Sequence, residues 1–423
     1  MNKLVIVFLL FSIGSCQSPP SVEISEIEEK LIKSGAPFNF TPDLEGKYKD
    51  AAMGGTLNLL AKQDGGEDFV IPVQWDISHD ESNFRAIAVY AGDGTHTLSE
   101  MKWYITEDQN EDNLKADKNP KGQIEITENG NHVLRYNYET VYEHDELNLL
   151  PANEYIVTEE DTFMVNPSIY AVPRSNYIHP LYGLNGEILT RDWAKDHPHH
   201  RGIYWAWPEV IFGDQMGDLH ALQKVFARPT GKISYKGGPV FAEIKAENLW
   251  IWEEGIVPIV REHVTIQSYK SNNQGRVIDF KVKMEALKED ISIARRGTEG
   301  YGGLNIRMMT PDSQEISVHN GDLENQPARS WSVLDGKFKE SDDLSGLVIL
   351  QNAQNPHYPG DWVQFPELSW SQPTFPASGK RHKLIPGEPL TLNFRFYVHS
   401  NEKLEEGDLS YLWDAYHSQI SPL

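Results

Sequence analysis

The segment 179–207 concentrates the side chains of this chain that could do chemistry. Histidine titrates near neutrality, so it suits proton transfer or metal ligation. The guanidinium of arginine presents a fixed fork of donors to a carboxylate or a sulfate, and a tryptophan ring offers a flat apolar surface to a sugar. The residues concerned are His179, Tyr182, Arg191, Trp193, His197, His199, His200, Arg201, Tyr204, Trp205 and Trp207. They predict an active site for an anionic, ring-shaped substrate, against the alternative that they are ordinary strand and turn residues.

The spacing of the histidines suggests how they could work. If residues 197–204 are extended, the side chains of His197, His199 and Arg201 share one face of the strand, and that of His200 lies on the other. Two histidines beside an arginine suit an acid/base pair next to a carboxylate anchor. They also suit two ligands of a divalent metal, with a third ligand from elsewhere in the chain. We favour metal-free chemistry, because no HxxxH or HExxH spacing is present.

Two further segments carry candidate binding residues. Glycines within residues 295–307 predict a tightly turned loop that presents Glu299 and Tyr301 to a substrate, or else a plain hairpin turn. Residues 357–370 are rich in aromatic residues and proline and could form a sugar platform, although such clusters in β proteins more often belong to the core. Both segments are candidates for substrate contact.

The overall charge limits the classes of partner. The 423 residues carry 38 Lys and Arg against 62 Asp and Glu, a net charge of −24. So acidic a surface repels nucleic acids and anionic lipid headgroups, which excludes a general polyanion-binding surface. No glycine-rich nucleotide loop opens a helix, so no dinucleotide cofactor is expected. An anionic substrate must therefore be held by local arginines.

The N-terminal residues predict where the protein is located. Lys3 is followed by an apolar run, residues 4–13, that is too short for a membrane-spanning helix. Residues 13–16, Ile-Gly-Ser-Cys, have the form of a bacterial lipobox, in which Cys16 is diacylated and becomes the mature N-terminus. Cys16 is the one cysteine of the chain, which excludes internal disulfides and thiolate catalysis. We expect a cell-envelope lipoprotein of the outer membrane or facing the periplasm; an ordinary signal peptide with an incidental cysteine is the alternative.

Alternation of apolar and polar residues dominates the rest of the chain and predicts many short strands. Examples are residues 123–127, 133–142, 241–252, 277–284 and 390–398. Short helices are expected at residues 23–33 and 411–418. Many strands without βα alternation favour an all-β fold, a large antiparallel β-sandwich. The galactose-mutarotase-like supersandwich is its more specific form, by analogy among carbohydrate enzymes.

Three regions are expected along the chain. Residues 1–16 form a lipoprotein signal peptide, and residues 17–120 form a tether, a short helix and an N-terminal β region. Residues 121–423 form the main catalytic β-sandwich. The polar segment 108–121 predicts a loop or a break between the second and third regions.

Several motifs of the chain are similar to those of one bacterial family. They are residues 179–182 (HPLY), Gly186, residues 190–192 (TRD), residues 196–202 (DHPHHRG) and, more weakly, residues 302–307 (GGLNIR), residues 386–390 (PGEPL) and Arg395. Through these motifs the chain resembles the PmoA-like family, whose members are typical of secreted and lipoprotein sets in polysaccharide-degrading bacteria. The closest functional analogy is with the oligosaccharide dehydratases of marine ulvan-degrading Bacteroidetes, which form a 4,5-unsaturated uronic acid at the non-reducing end. The resemblance assigns no catalytic residues.

The chemistry of such a dehydratase fits these side chains. Removing water from a uronate requires loss of the C5 proton, which is acidic enough only when the adjacent carboxylate is neutralised, by Arg201, by Arg191 or by a metal. A base near neutrality, His199 or His197, takes the proton, and an acid protonates the departing 4-hydroxyl. Candidates for the acid are Tyr182, Tyr204 and His179. Candidates for substrate binding are Arg191, His200, Tyr204, Trp205, Trp207, Glu299 and Tyr301.

Other functions remain open from the sequence. A sugar hydrolase or epimerase could use the same histidines. A lipoprotein that only binds glycans could present Trp205 and Trp207 as a platform, but a binder has no use for so many titratable groups. The expected partner in each case is an anionic oligosaccharide; no cofactor is required, although a divalent metal is compatible with the histidines.

The lipobox generates a first prediction. Cells that express the protein should incorporate a fatty-acid probe into it, because the thiol of Cys16 is the acylation site. The Cys16→Ala variant should lose the label while a Ser15→Ala variant keeps it. A wild-type protein that takes up no label would contradict the anchor.

Overall fold

The computed structural model is built mainly of β-strands. It describes residues 21–22, 26–63, 67–77, 84–92, 96–142, 154–157, 162–165, 171–194, 196–253, 255–272, 274–321, 327–339 and 341–418. The predicted signal peptide and lipobox at Cys16 lie outside these residues. Within them, no helix has the length and apolar character needed to cross a membrane.

The N-terminal part is a small α+β unit with its own core. Its helices are α1 Glu26–Lys33 and α2 Lys47–Met53, and its strands are β1 Ser21–Val22, β2 Phe38–Phe40, β3 Leu57–Lys62, β4 Phe69–Ile71, β5 Val73–Ile77, β6 Phe84–Ala88 and β7 Lys102–Glu107. They pair in the orders β1-β7-β3-β4 and β2-β6-β5. Leu57, Leu59 and Trp103 are buried in a core that these elements share. The helix predicted within residues 23–33 is confirmed as α1.

The remaining strands follow in chain order. They are β8 Leu114–Lys118, β9 Ile124–Glu128, β10 Asn131–Asn137, β11 Glu154–Val157, β12 Thr162–Val165, β13 Tyr177–Leu181, β14 Ile203–Ala206, β15 Glu209–Phe212, β16 Gln215–Gly217, β17 Val225–Lys236, β18 Phe241–Trp252, β19 Val257–Tyr269, β20 Gly275–Ala286, β21 Ile291–Ala294, β22 Gly303–Arg307, β23 Asp312–Asn320, β24 Ser330–Lys337, β25 Leu344–Gln351, β26 Trp362–Phe365, β27 Trp370–Pro373, β28 His382–Leu384 and β29 Leu390–Ser400. Helix α3, Glu406–His417, ends the described chain. It confirms the helix predicted near residue 411, extended by one turn at its start.

Two eight-stranded antiparallel sheets dominate the molecule. Sheet A has the order β26-β27-β22-β14-β13-β10-β9-β8, and sheet B has the order β17-β18-β19-β20-β29-β25-β24-β23. Apolar residues of both sheets meet in one continuous core. The predicted all-β fold, a large antiparallel β-sandwich, is confirmed.

The polar segment 108–121 is only in part the loop or break that the sequence predicted. Residues 108–113 contain no helix or strand, but the segment also contains strand β8, which pairs with β9 at the edge of sheet A. Leu114 and Ala116 of β8 are buried and its other side chains are exposed, which explains its polar composition. Sheet A therefore begins a few residues before residue 121.

The core between the sheets contains residues that the sequence assigned to the substrate. On β14, Trp205 packs against Phe280 of sheet B at 4.6 Å between ring centroids. Trp207 lies 5.6 Å from Trp250, and its ring N–H donates to the carbonyl of Phe375 at 2.8 Å. Trp205 and Trp207 are 3% and 0% exposed. The predicted sugar platform is therefore wrong, because both rings are needed inside the sandwich.

The other face of β14 positions the candidate site. Because side chains alternate along a strand, Tyr204 lies opposite to Trp205, on the outer face of sheet A. Just before β14, Gly202 crosses close to β13: a Cβ there would lie 2.3 Å from the carbonyl oxygen of Ile178 and 2.9 Å from the Cβ of His179. Its φ of +59° also favours glycine. Gly202 thus lets the segment before β14 lie directly on β13.

This close approach generates a second prediction. Gly202→Ala should lower the free energy of unfolding by about 2–5 kcal/mol, because the backbone strain of a positive φ adds to an overpacked contact. Gly213→Ala is the matched control, since Gly213 has a φ of +62° and no atom within 4 Å of the added Cβ. It should lose about 1–2 kcal/mol. Urea unfolding measures both, and equal losses would contradict the role given to the contact.

Candidate functional site

A turn, not a strand, presents the histidines. The N–H of His200 donates to the carbonyl of His197 at 2.9 Å, which closes a tight turn. The rings of His197 and His200 stack at 4.6 Å, and those of His199 and His200 meet edge to face at 4.5 Å. The predicted alternation, with His200 facing away from the other two, is therefore wrong. The turn gathers all three rings on one side.

A fourth histidine completes the group and was missed by the sequence analysis. His220 lies in the loop between β16 and β17, with its ring 5.2 Å from that of His199 and 5.6 Å from that of His200. Its Nε2 is 2.9 Å from the hydroxyl of Tyr204. No motif marks His220 in the sequence; only the fold brings it here. We call His197, His199, His200 and His220 the histidine cluster.

His197 is held by a carboxylate. Oδ2 of Asp196 lies 3.1 Å from Nδ1 of His197 and accepts a 2.8 Å hydrogen bond from Nη2 of Arg307. Burial alone would raise the pKa of Asp196, but the hydrogen bond from His197 and the charge of Arg307 hold it well below its usual value. The side chains of Asp196 and His197 are 42% and 41% exposed. An ionised carboxylate therefore orients an accessible imidazole, as in sites that use histidine as a base.

The other three histidines are neutral at physiological pH. Burial, reinforced by the positive charge that His197 and the neighbouring arginines can carry, lowers the pKa of His199 to about 3. Burial and the other histidines lower the pKa values of His200 and His220 far below the usual range. So low a pKa makes His199 a weak base, which argues against the role that the sequence analysis gave it. His197 is the better candidate for the base.

Arg201 does not face a substrate, as was expected. It is 0% exposed, and its guanidinium carbon lies 3.0 Å from the centroid of the Trp193 ring. Its Nη1 is 3.7 Å from Oδ1 of Asp192, and its Nη2 donates to the carbonyl of Val172 at 2.8 Å. The predicted carboxylate clamp is wrong at this position, because internal groups engage the guanidinium. Arg201 anchors the end of the histidine turn.

Arg191 is better placed to bind an anion. Its backbone N–H donates to the carbonyl of Arg307 at 3.0 Å, which joins the two residues side by side. Burial, together with the neighbouring charge of Arg191, lowers the pKa of Arg307. The side chain of Arg191 is half-buried, and among the described residues its Nε has no hydrogen-bond partner. A guanidinium with one unpaired donor therefore lies beside the hydrogen-bonded group of Arg307, Asp196 and His197.

The glycine-rich loop contacts the histidine cluster through Tyr301. The ring of Tyr301 lies 4.8 Å from that of His220. Arg296 donates to Oδ2 of Asp218 at 2.6 Å and to the hydroxyl of Tyr301 at 3.3 Å. Buried Arg295 holds the loop by donating to the carbonyl of Gly300 at 2.6 Å. The fold thus brings the glycine-rich loop, within residues 295–307, to the histidine cluster.

The third aromatic segment contributes one residue. Trp370, at the start of β27, is buried with its ring 4.4 Å from that of His200. It forms part of the wall behind the histidine cluster. This agrees with the alternative that aromatic residues of this segment belong to the core.

The remaining predicted residues lie at different places. His179, half-buried on β13, has its Nδ1 3.0 Å from Oγ1 of Thr190. Tyr204 is fully buried, and burial raises its pKa well above the usual value, so its hydroxyl serves His220 and not solvent. Tyr182 lies beyond the end of β13, stacked on His132 at 5.3 Å. Glu299 is exposed, and its carbonyl accepts a hydrogen bond from Arg295.

The metal alternative has no preformed site in this geometry. Among the described residues, no group of three or more His, Cys, Asp or Glu side chains is arranged to hold a metal ion.

Comparisons with known proteins add a family but no activity. A family model described as "Family of unknown function (DUF6807)" matches residues 123–414. No curated protein matches the chain. One similar solved structure is an α-mannosidase from Enterococcus faecalis V583, at 10% identity and a TM-score of 0.34, over 91% of this chain and 43% of the mannosidase. The chain spans less than half of that protein, and the TM-score is too low to support an inference about fold or function. The resemblance to the PmoA-like family stays a prediction.

The buried histidines generate a third prediction. An unfolded histidine takes up a proton near pH 6.5, whereas folded His199 does so only near pH 3. Between these values the unfolded state binds more protons, so the free energy of unfolding should fall as the pH is lowered from about 7 to about 5. His199→Gln should reduce that fall. Urea unfolding at both pH values measures it, with His263→Gln, at a half-buried histidine outside the cluster, as control; an unchanged fall in His199→Gln would contradict the assignment.

Proposed function

We propose that this chain, which belongs to the DUF6807 family of unknown function, is a carbon–oxygen lyase. It dehydrates the non-reducing-end uronic acid of anionic oligosaccharides, such as ulvan fragments, to a 4,5-unsaturated uronate. The observation that supports this most is an indirect connection between an arginine and an accessible histidine. Arg191, whose Nε has no hydrogen-bond partner among the described residues, is bonded through its backbone to Arg307. The side chain of Arg307 in turn holds Asp196 beside His197. A base next to a carboxylate clamp is what removal of a proton α to a carboxylate requires.

The charge around the cluster favours an anionic substrate. Arg174, Arg191, Arg201 and Arg307 all lie close to it, on a chain that carries −24. Asp192 pairs with Arg201 and Asp196 with Arg307, which leaves Arg174 and Arg191 as the net positive charge. Three of the four histidines are neutral and add no further charge. A local positive field on an acidic protein concentrates one kind of ligand at one place. A uronate carboxylate matches that field.

The base in this scheme is His197. Its Nδ1 carries the proton that is shared with Asp196, so its Nε2 is free to accept the C5 proton of the uronate. The imidazolium that forms is stabilised by the ionised carboxylate of Asp196. Arg191 binds the substrate carboxylate and offsets the negative charge that develops on it as the C5–H bond breaks.

The acid in this scheme is Tyr301. The electron pair of the C5–H bond forms the C4=C5 double bond while the C4–O bond breaks, and the departing hydroxyl takes a proton to leave as water. Tyr301 is half-buried with its ring 4.8 Å from that of His220, and Arg296 donates to its hydroxyl at 3.3 Å. A neighbouring cation stabilises the phenolate that remains after proton donation. The sequence suggested three other acids. Tyr204 is fully buried, Tyr182 lies beyond the end of β13, and His179 lies on β13 beside Thr190.

The proposed location is the cell envelope, through a lipid on Cys16. It rests on the lipobox at residues 13–16. It also agrees with the proposed substrate, because fragments of an extracellular polysaccharide reach the cell envelope before any other part of the cell. The proposed reaction needs no cofactor beyond the side chains named here.

The scheme generates a fourth prediction. Wild-type protein incubated with uronate-terminated oligosaccharides should produce new ultraviolet absorbance, because the double bond formed is conjugated with the carboxylate. His197→Ala should lower kcat by about 10²–10⁴-fold, the contribution usual for a general base. Arg191→Ala should mainly raise KM. His263→Ala is the matched control and should leave both constants unchanged.

Other outcomes separate the competing functions. New reducing ends without absorbance would identify a hydrolase, and a changed sugar configuration would identify an epimerase. Binding without any product would identify a glycan-binding protein. Near-normal turnover in a folded His197→Ala variant would overturn the assignment of the base.

A further inference from the structure

A separate cavity of about 650 Å³ opens at one end of the sandwich. Turns of both sheets meet there: residues 128–132 and 182–186 next to sheet A, and residues 271–276 and 400–401 next to sheet B. No residue of the histidine cluster lines it. It is large enough for one or two sugar residues, since ligand pockets of this kind begin at about 300 Å³.

Two stacked rings form one wall of this cavity. The rings of His132 and Tyr182 lie 5.3 Å apart at an angle of 24°. The strands force this contact, because the N–H of Tyr182 donates to the carbonyl of Val133 at 3.0 Å and so holds the two residues side by side. His132 is exposed and Tyr182 half-buried, so the stacked pair offers an open flat face. Such a face packs well against the C–H surface of a sugar ring.

The rest of the lining is rich in amides and carries no unpaired charge among the described residues. Asn129, Asn131 and Asn401 line the cavity with exposed side chains, and an amide offers both donors and an acceptor to neighbouring sugar hydroxyls. Glu128 and Arg276, the charged residues of the lining, are buried against each other in an ion pair. A polar, uncharged lining with an aromatic wall suits a neutral sugar.

Strand β13 connects the cavity with the segment that leads into the histidine turn. Tyr182 follows His179 by three residues, which is about 10 Å along the strand. His179 in turn touches Gly202, which leads directly into the histidine turn. Ile178 and Leu181 both lie in the core, because the pairing of β13 with β10 shifts register between them. His179 and Tyr182, which follow them, therefore lie on the other face.

We propose that this cavity is a distal subsite, which binds a neutral sugar residue of the oligosaccharide on the reducing-end side of the uronate. The identity of the substrate rests on the proposed dehydratase function, but binding of a neutral sugar here does not. The subsite would make the protein select oligosaccharides over disaccharides. Its residues take no part in proton transfer.

Calorimetric titration with maltotriose, cellotriose and xylotriose tests the subsite directly. Full-length protein should bind at least one of them with a millimolar or better dissociation constant. His132→Ala and Tyr182→Ala should each weaken that binding about tenfold, the loss expected for one aromatic packing face. His263→Ala and Tyr235→Ala are the matched controls and should bind as wild type does. His132 is exposed, so its variant decides the question if Tyr182→Ala fails to fold.

A second measurement separates this proposal from the dehydratase. His197→Ala should keep full affinity for the neutral trisaccharide. If wild type binds the trisaccharide through His132 but produces no absorbance from any uronate, the subsite stands and the proposed reaction fails. If none of the three trisaccharides binds, or if binding is the same in His132→Ala, the subsite is overturned even where turnover is observed. In an active enzyme, His132→Ala should raise KM about tenfold for a uronate-terminated tetrasaccharide and leave KM for the disaccharide unchanged.

Discussion

The candidate site depends on the burial of positive charge. Arg174, Arg201 and Arg307 are 4%, 0% and 4% exposed, and burial lowers the pKa of all three. A buried guanidinium is tolerated only when its charge and its donors are compensated. Each of the three is compensated in part by a different segment of the chain, and these contacts hold the loops of the site together. Nε of each of the three, and Nη1 of Arg201 and Arg307, have no hydrogen-bond partner among the described residues.

The three arginines connect segments that are distant in sequence. Arg174 donates to the carbonyl of Leu219 at 3.0 Å and lies 4.7 Å from the ring of Tyr204, which holds the loop that carries His220. Arg201, at the end of the histidine turn, forms an ion pair with Asp192 and lies over the ring of Trp193. Arg307, on β22 of sheet A, forms an ion pair with Asp196. Burial, reinforced by these charges, keeps His199, His200 and His220 neutral. His197, which is accessible and bound to Asp196, is the candidate base that remains.

Much of this protein could be predicted from its sequence, because the relevant physics is local. Alternating apolar and polar residues have the period of a strand, and the many turn residues between them exclude long helices. The all-β sandwich, helix α1 and the concentration of titratable side chains before β14 follow from that pattern. The presence of glycine at position 202 is also explained locally, because the backbone there has a positive φ.

Burial and distant contacts were decided by the tertiary structure. Alternation shows that a strand has two faces, but it does not show which face is covered; Trp205 and Trp207 therefore looked like a platform and are core residues. Pro198 within the histidine segment and the 2.9 Å bond from His200 to His197 produce a turn where an extended strand was expected. Arg201 looked like a clamp because its partners, Trp193 and Val172, are brought to it only by folding. His220 carried no signal, since its meeting with Tyr204 depends on where a loop crosses sheet A. Sequence determines which residues are available, and packing determines which of them remain free to act.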